Sequence, residues 1–550
     1  MRPISCIAFA LFLAAPLTLT AYAAEPESPK ALIGHTEAVR VAIQEQLSAK
    51  FTNASEARKS EQGALVEYYS IAENRLLWID EKGFNDRAKS VIGEIGKADE
   101  YGLRSSDYPL PKAAGDGAVD AKWLADAEIK ISFAVLGYAR DARGGRIEPQ
   151  RLTPNLDPEL ALPNPLEVIE SIAFRSDPSA YLRSFQPDQP QFEALRKALI
   201  AARGGDPNTT IERIPDGPTL QLGIEHDQVA LLRKRLDIPV EDGGKETVFD
   251  DSVHAAVQRF QEDHGVLPDG LVGPGTRRLL NGQHQQATSP AKSRLILLNM
   301  ERWRWLPHDL GSFYVTVNIP EFMLRVMEDS RPAFTTRVVV GKPDKQTPIF
   351  SNEMQTIVFG PYWNMPNSIK TEEIRPYIRE EGGWFGGGGW NTAVLERHNL
   401  RVNIGGREID PSRIDWNRID IRSLNIYQPP GPDNVLGNVK FLFPNKHDVY
   451  MHDTPQKFLF AKPVRAESHG CMRVQNPDQL ALTLLKQDQG WSAGRVASAI
   501  QTGYDQQIPL RQKIPVYVTY FTLWANSDGS LSSFGDLYGH DARMAAALRL

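Results

Sequence analysis

The stretch Ser468-His469-Gly470-Cys471-Met472-Arg473 contains one of the two cysteines in this 550-residue chain. The other, Cys6, lies in an N-terminal segment with a basic residue at position 2 and an apolar run over residues 4–19. Small residues follow before Glu25. This pattern is typical of a secretory signal peptide, and we expect residues 1–23 to be removed. Unpaired thiols are rare in the oxidising compartment that an exported protein enters, so Cys471 is a candidate reactive cysteine.

A cysteine nucleophile reacts as its thiolate and needs a base nearby. His452 lies nineteen residues before Cys471 and follows a strand-like run, so its imidazole can approach from a neighbouring strand. It would take the thiol proton and return it to a leaving amine. Either the backbone carbonyl or the carboxylate of Asp453 would fix the tautomer of His452, and the sequence leaves both open. Backbone N–H groups around Gly470 and Cys471 are candidate oxyanion donors.

His452 together with the motif at residues 468–473 resembles the catalytic signature of the L,D-transpeptidases of the YkuD type, cysteine enzymes that cross-link peptidoglycan stem peptides. The resemblance implies that Cys471 is the nucleophile and His452 the general base. It also implies that four residues of the motif shape the acyl site and its oxyanion contacts, namely Ser468, His469, Gly470 and Arg473. We expect three further residues near the same cleft, namely Tyr450, Trp363 and Asn364.

By the same resemblance, Cys471 attacks the diaminopimelate–D-alanine bond of a donor tetrapeptide, and D-alanine leaves. The side-chain amine of a diaminopimelate residue on an acceptor stem then resolves the thioester into a 3→3 cross-link. No cofactor or metal is expected, because the thioester carries the bond energy of the substrate. The resemblance also implies acylation of Cys471 by β-lactams of the carbapenem type, and the expected location is the periplasm.

The length of the chain predicts three or so domains, and its apolar content of 41% is ordinary for a globular protein. We predict an α+β multidomain protein. Residues 24–215 are predicted to form a helical scaffold, because apolar residues recur at helical spacing over Leu65–Asn74, Asp86–Tyr101 and Ala121–Asp141. This segment also resembles the N-terminal scaffold of the large L,D-transpeptidases.

Residues 216–285 are predicted to form a small three-helix module. Val253, Val257 and Phe260 recur at helical spacing, and glycines mark the turns that follow. The module resembles the common peptidoglycan-binding domain, which implies that it binds peptidoglycan. A purely structural spacer is the alternative, because a similar fold does not establish a binding site.

Residues 293–525 are predicted to form a mostly β catalytic domain, and residues 526–550 a C-terminal tail. The strand-like runs are rich in valine, threonine and aromatic residues, and they cover Phe313–Val317, Phe322–Met327, Thr335–Val340, Met354–Phe359, Lys440–Phe443, Val449–Met451 and Val516–Tyr520. An insertion over about residues 369–424 interrupts them. It contains the run Gly386–Gly389 between Trp384 and Trp390, which predicts a lid over the thiol. A plain surface loop is the alternative.

The formal net charge of −6 provides no basic field for nucleic acid or anionic lipid, so we expect neither as a partner. No apolar run after residue 23 approaches the ~20 residues that a transmembrane helix needs. Three other functions compete with a transpeptidase. His447, His452, His469 and Cys471 could bind zinc, although the usual paired ligand spacing is missing. A cysteine hydrolase of peptidoglycan peptides (an L,D-carboxypeptidase or endopeptidase) would use the same thioester, and a non-enzymatic wall-binding protein would use the module alone.

Overall fold

The computed structural model describes residues 29–49, 54–80, 82–112, 120–204, 214–236, 238–240, 243–263, 268–277, 279–280, 290–380, 389–526 and 529–550. The predicted signal peptide lies outside these residues, and so do Trp384 and most of the predicted Gly386–Gly389 hinge. The chain divides into two compact units, Met1–Lys89 with Leu110–Phe133 and Ser90–Pro109 with Ala134–Leu550. Within the described residues, no helix has both the length and the apolar character needed to cross a membrane.

A buried carboxylate organises the first unit. Its helices and strands are Pro29–Ser48, Glu56–Ser70, the start of the helix Ala121–Gly144, β1 (Ile79–Asp80) and β2 (Gly83–Phe84). Glu128 accepts a hydrogen bond from the backbone N–H of Trp78 at 2.9 Å and another from the hydroxyl of Tyr69 at 2.8 Å. Burial raises the pKa of Glu128 to about 7. The carboxyl group therefore ties one helix to the loop before β1.

The helix predicted from apolar spacing at Leu65–Asn74 has different bounds in the structure. It begins at Glu56, because the hydroxyl of Ser55 caps it by accepting the backbone N–H of Arg58 at 3.2 Å. It ends one residue before Ile71, whose backbone is extended. The spacing rule found the buried stripe but missed the first turns, since these carry few apolar residues.

The scaffold part of the second unit is helical, as predicted. Its helices are Asp86–Ile95, the end of Ala121–Gly144, Pro149–Leu152, Pro165–Phe174, Pro178–Arg183 and Pro190–Gly204. The helix Pro290–Trp303 shares a core with Pro190–Gly204, although the prediction placed most of it in the catalytic segment 293–525. Gly145 follows the long helix with a φ of +82°. A Cβ at this position would approach a carboxylate oxygen of Glu301 to 2.5 Å. Since the same oxygen accepts the backbone N–H of Ile147 at 2.9 Å, the turn leaves no room for a side chain.

The peptidoglycan-binding-like module folds around its own core. Its helices are Asp227–Leu236 and Asp251–Asp263, and residues 274–277 and 279–280 are also helical. Val253, Val257 and Phe260 are all buried in this core, which confirms the prediction from their spacing. Gln261 on the same helix accepts the backbone N–H of Gly270 at 2.7 Å and so holds the glycine turn against it.

The strands of the second unit are β3 (Phe313–Asn318), β4 (Met323–Glu328), β5 (Arg331–Gly341), β6 (Phe350–Phe359), β7 (Trp363–Asn364), β8 (Arg379–Glu380), β9 (Trp390–Asn391), β10 (Arg401–Ile404), β11 (Arg407–Ile409), β12 (Asn425–Gln428), β13 (Val439–Leu442), β14 (Met451–His452), β15 (Ala466–Ser468), β16 (Met472–Val474), β17 (Gln506–Thr519), β18 (Leu523–Ala525) and β19 (Leu531–Ser533). In the described residues, nine of them form a sheet in the order β15-β5-β16-β14-β13-β6-β17-β3-β4. Because β4 also pairs with β5, this sheet closes on itself around an apolar core. The helices Pro477–Gln489 and Ala493–Thr502 contribute to that core. The predicted mostly β domain is confirmed.

The insertion is a small folded subdomain with a core of its own. Strands β11, β10, β12 and β7 form its four-stranded sheet in that order. Because β7 and β12 lie outside the predicted bounds of 369–424, the subdomain is wider than predicted and includes residues 363–428. Helical turns at residues 367–377 and the helix Ala393–Arg397 accompany the sheet. Leu395, Val402, Trp416 and Ile426 are buried in this core, separately from the core of the large sheet.

The last segment of the chain, residues 526–550, packs against the catalytic sheet. It contains β19 and the helix His540–Leu548. Tyr538 and Met544 are buried in the core of the large sheet. The hydroxyl of Tyr538 donates to the carbonyl of Gly341 at 2.7 Å and accepts the backbone N–H of Thr347 at 3.2 Å. This segment therefore fixes the end of β5.

The register of three neighbouring strands aligns polar residues on one face of the sheet. Lys440 of β13 lies opposite His452 of β14 in an antiparallel pair. His452 lies opposite Arg473 of β16 in a parallel pair. Since residues directly opposite each other project from the same face, these three side chains share one face of the sheet.

We expect Gly145→Ala to lower the free energy of unfolding by about 1–3 kcal/mol, because an L residue is strained at this φ and its Cβ meets Glu301. Thermal unfolding of the full chain measures the change. Gly494→Ala is the matched control, because Gly494 lies in the helix Ala493–Thr502 and a Cβ there meets only the hydroxyl of Ser492 at 3.9 Å. Equal melting temperatures for the two variants would contradict the constraint at Gly145.

Candidate active site

The turn that carries Cys471 is held by hydrogen bonds on both sides. Gly470 has a φ of +111°, a value that favours glycine. The hydroxyl of Ser468 donates to the carbonyl of Cys471 at 2.6 Å and accepts the backbone N–H of Gly470 at 3.2 Å. The hydroxyl of Thr347 donates to the carbonyl of Gly470 at 2.8 Å and accepts the backbone N–H of Gly341 at 2.9 Å. These contacts fix the direction of the backbone on both sides of the cysteine.

The N–H of Gly470 is thus occupied, whereas the N–H of Cys471 has no hydrogen-bond partner among the described residues. A free N–H next to a nucleophile is the geometry that an oxyanion donor needs. Of the two backbone donors that the sequence suggested, only that of Cys471 is available in this conformation.

Cys471 is a half-buried free thiol. Its sulfur lies within hydrogen-bonding reach of the backbone N–H and the phenol hydroxyl of Tyr450. Burial raises the pKa of the Cys471 thiol, while these two donors and the charges of Lys440 and Arg473 lower it in part. Because burial is the largest of these effects, the resting cysteine is a protonated thiol.

His452 is buried, and one of its ring nitrogens is bound. Its Nδ1 lies 2.5 Å from the backbone carbonyl oxygen of Asp453. A carbonyl can only accept, so Nδ1 carries the proton and Nε2 keeps its lone pair. The carboxylate of Asp453 accepts the backbone N–H groups of Asn438 at 2.9 Å and Thr454 at 2.6 Å instead. Of the two groups that could fix the tautomer, the structure therefore has the carbonyl.

The electrostatic surroundings keep the imidazole neutral. Burial, with smaller contributions from the positive charges of Arg473 and Lys440, lowers the pKa of His452 to about 3. His452 is thus an unprotonated base at neutral pH, and Cys471 is a protonated thiol. The resting pair carries no charge, so proton transfer has to accompany attack on a substrate.

Aromatic side chains surround this pair. The rings of Tyr450 and His452 meet edge to face at 5.7 Å, and the ammonium of Lys440 lies 3.9 Å from the centre of the Tyr450 ring. The hydroxyl of Tyr450 also bonds to the side chain of Trp363. Trp363 belongs to β7 and packs against the core of the insertion, so the insertion contributes to the surroundings of the thiol.

The remaining predicted residues are arranged around this centre. Arg473 is half-buried, influences the thiol by its charge and donates to the side chain of Gln456 at 2.6 Å. His469 is exposed, and its Nε2 contacts the carboxylate of Glu373 in the insertion at 2.5 Å. Asn364 is exposed and lines a cavity on the Lys440 side of the site. The turn at Gly470 separates His469 from Cys471.

The residues that the sequence suggested as zinc ligands are not grouped together in the structure. His447 pairs with Asp157 through its Nε2 at 2.8 Å, while His469 pairs with Glu373. In the part of the chain that the structure describes, no three histidine, cysteine or acidic residues are grouped as a metal site would require.

Three family models match the chain in sequence. A scaffold domain matches residues 63–199, a peptidoglycan-binding domain matches residues 225–280, and the YkuD model, an L,D-transpeptidase catalytic domain, matches residues 312–491. The chain carries a YkuD-type L,D-transpeptidase catalytic domain. All residues of the turn at Cys471, together with His452 and Lys440, lie within the YkuD match.

Individual proteins also resemble the chain. A Haemophilus influenzae protein named "Putative L,D-transpeptidase" is 30% identical over 253 residues, which are 46% of this chain and 49% of that relative. The match thus spans about half the length of the relative. Two solved structures are an L,D-transpeptidase from Xylanimonas cellulosilytica (15% identity, 55% of this chain and 99% of that one, TM-score 0.17) and one from Mycobacterium smegmatis (12% identity, 38% and 58%, TM-score 0.17). Scores this low support no argument about this chain.

The sequence did not single out two residues of the YkuD domain that act on this site. Lys440 lies between the buried residues Val439 and Phe441 on a central strand, and a lysine in such an alternating run is a usable signal. Thr347 offers no such signal, because it reaches Gly470 only through the tertiary fold.

The neutral states of Cys471 and His452 predict how the reactivity of the Cys471 thiol in the YkuD domain depends on pH. Since its pKa is raised, the thiol keeps its proton above the ordinary cysteine value of about 8.5. We expect alkylation by iodoacetamide to rise only above that pH, and at a higher pH than for a short unstructured peptide with one cysteine and blocked termini measured alongside. A rapid, pH-independent reaction near neutrality would instead indicate a preformed thiolate–imidazolium pair.

Proposed function

We propose that this chain is an exported L,D-transpeptidase that forms 3→3 peptidoglycan cross-links through a thioester on Cys471. The observation that carries the proposal is a neutral thiol and a buried, neutral imidazole that both contact Tyr450, with Nδ1 of the imidazole bound to a carbonyl. In this arrangement Nε2 of His452 is a free base, and the thiol is ready to be deprotonated during attack.

In the first half-reaction, His452 takes the thiol proton as the sulfur attacks the carbonyl carbon of the diaminopimelate–D-alanine bond. The free N–H of Cys471 donates to the oxyanion that forms, while the Ser468 and Thr347 contacts hold the turn in this orientation. The carbon–nitrogen bond then breaks. The D-alanine amine takes the proton from His452 and leaves, and Cys471 remains acylated.

In the second half-reaction, the side-chain amine of an acceptor diaminopimelate attacks the thioester. His452 removes a proton from the attacking amine and returns it to the departing sulfur, so the thiol is restored. The carbonyl is now bound to the acceptor nitrogen, and no cofactor is consumed. Water in place of the amine would give a hydrolase, and product analysis separates these two outcomes.

The other domains support a role at the cell wall. The match of residues 225–280 to a peptidoglycan-binding domain favours the module as the part that holds the enzyme on its polymer. We place the mature protein in the periplasm on the basis of the N-terminal signal pattern. The same nucleophile should be acylated by carbapenems, because these present a strained carbonyl to the thiol.

We expect Cys471→Ala to abolish the acyl-enzyme and His452→Ala to slow its formation by ~10²–10⁴-fold, the usual effect of losing a general base. Intact-mass measurement after mixing with a donor tetrapeptide detects the acyl-enzyme and the release of D-alanine. His398→Ala, at an exposed histidine of the insertion, is the control and should react normally. Cross-linking by Cys471→Ala at the unmodified rate would exclude this nucleophile.

The module from residue 220 to residue 281 should localise the enzyme without taking part in the chemistry. A chain that lacks these residues should still be acylated by a small soluble carbapenem, because the thiol and its neighbours lie in the YkuD domain. It should sediment less with purified sacculi. If both chains sediment equally, the module is a structural spacer.

A further inference from the structure

A cavity of about 400 Å³ lies beside the reactive residues. Val358, Lys440 and Gln507 of the catalytic sheet line one side, and Asn364 and Asn425 of the insertion subdomain line the other. Lys440 belongs to the cavity and also to the surroundings of Cys471, whose pKa it lowers by its charge. A group attached to the acylating carbonyl can therefore extend from the thiol into this cavity.

The strand register places a row of residues between His452 and the cavity. Lys440 lies opposite His452 on one side and opposite Val358 on the other, and Val358 lies opposite Gln507. These four residues form a row across β14, β13, β6 and β17 on one face of the sheet. Neighbouring strands are about 4.8 Å apart, so the cavity begins one strand away from His452.

Two opposite charges face the cavity without pairing. Lys440 and Asp505 both line it, and the charge of Asp505 raises the pKa of Lys440. Neither forms an ion pair with any residue that the structure describes. Burial lowers the pKa of Lys440, which shows that water solvates its ammonium incompletely. A ligand carboxylate at Lys440 would therefore be stabilised more than at an exposed lysine.

The backbone holds Asp505 firmly at the rim. Its φ is +49°, and its N–H donates to the carbonyl of Gly360 at 2.6 Å. Gly360 has a φ of +56°, and a Cβ there would meet the carbonyl of Gly503 at 2.1 Å. The close approach of these two chain segments fixes the position from which the Asp505 carboxylate projects.

We propose that this cavity binds a group with an ammonium and a carboxylate on the same carbon, with Lys440 contacting the carboxylate and Asp505 the ammonium. The assignment rests on the proposed function, in which the donor residue at the thiol is diaminopimelate. Its second amino-acid centre is four carbon–carbon bonds from the first, about 5 Å when extended. That reach is close to one strand spacing. Lys440 and Asp505 then select the residue that acylates the enzyme.

Four synthetic donor tetrapeptides that differ only in the third residue test this selection. The first contains diaminopimelate, and the second contains diaminopimelate amidated on its side-chain carboxylate. The third contains 2-aminopimelate, which lacks the side-chain ammonium, and the fourth contains lysine, which lacks the carboxylate. Calorimetric titration into the full chain with Cys471→Ala measures binding. Release of D-alanine by the chain with its thiol measures turnover.

The diaminopimelate peptide should bind at least about tenfold more tightly than any other peptide, because each contact is a charge-assisted hydrogen bond. Asp505→Asn should remove the preference over 2-aminopimelate. Lys440→Gln should remove the preference over the amidated peptide. The Lys440→Gln result is a ratio between two peptides measured with the same variant. Any effect of Lys440 on the reactivity of the thiol is equal for both peptides and therefore cancels in the ratio.

Asp329→Asn is the matched control, because Asp329 is also an exposed aspartate with a positive φ of +46°. It should change neither ratio. Equal binding of the four peptides, binding of none, or unchanged ratios in both cavity variants would overturn the proposal. If the diaminopimelate preference is present in binding and no peptide releases D-alanine, the cavity assignment stands and the transpeptidase function is wrong.

Discussion

The parallel pairing of β14 with β16 is the constraint on which the site depends. It places His452 opposite Arg473. The N–H of Met472 donates to the carbonyl of Tyr450 at 3.0 Å, so the pairing extends to the residue next to the cysteine. A shift by one residue would turn these side chains to the other face of the sheet. The closure of the sheet between β4 and β5 opposes such a shift, because every strand in between would have to move with it.

Burial then decides the chemistry that this pairing makes possible. It raises the pKa of Cys471 and lowers that of His452, so both groups are neutral at rest. A thiolate–imidazolium pair would require two charges to form in a poorly solvated site. The neighbouring cations of Lys440 and Arg473 reduce that cost for the thiolate and increase it for the imidazolium. The same two residues thus stabilise negative charge on the sulfur and disfavour a resting imidazolium, so the proton reaches His452 only as the sulfur attacks the substrate.

The insertion subdomain supplies the second wall of the cavity that Lys440 lines. Two polar contacts join it to the catalytic domain, Glu373 with His469 at 2.5 Å and Glu372 with Lys345 at 2.7 Å. Exposed pairs of this kind contribute only about 0–1 kcal/mol each. The bond between Trp363 and Tyr450 adds a contact close to the thiol. The shape of the cavity therefore depends on a docked subdomain that several small contacts hold in place.

The sequence by itself determined the fold class, the buried helical stripe of Val253 and Val257, and the resemblance to a YkuD domain, because these depend on residues close together in the chain. The bounds of several predicted strands followed within a few residues for the same reason, whereas β17 begins at Gln506, well before the predicted Val516. Only the tertiary structure decided which group binds Nδ1 of His452, and that Lys440 stands beside the site. Strand register and burial set those contacts between segments that are distant in the chain. Neither produces a periodic pattern of residues that could be recognised in the sequence.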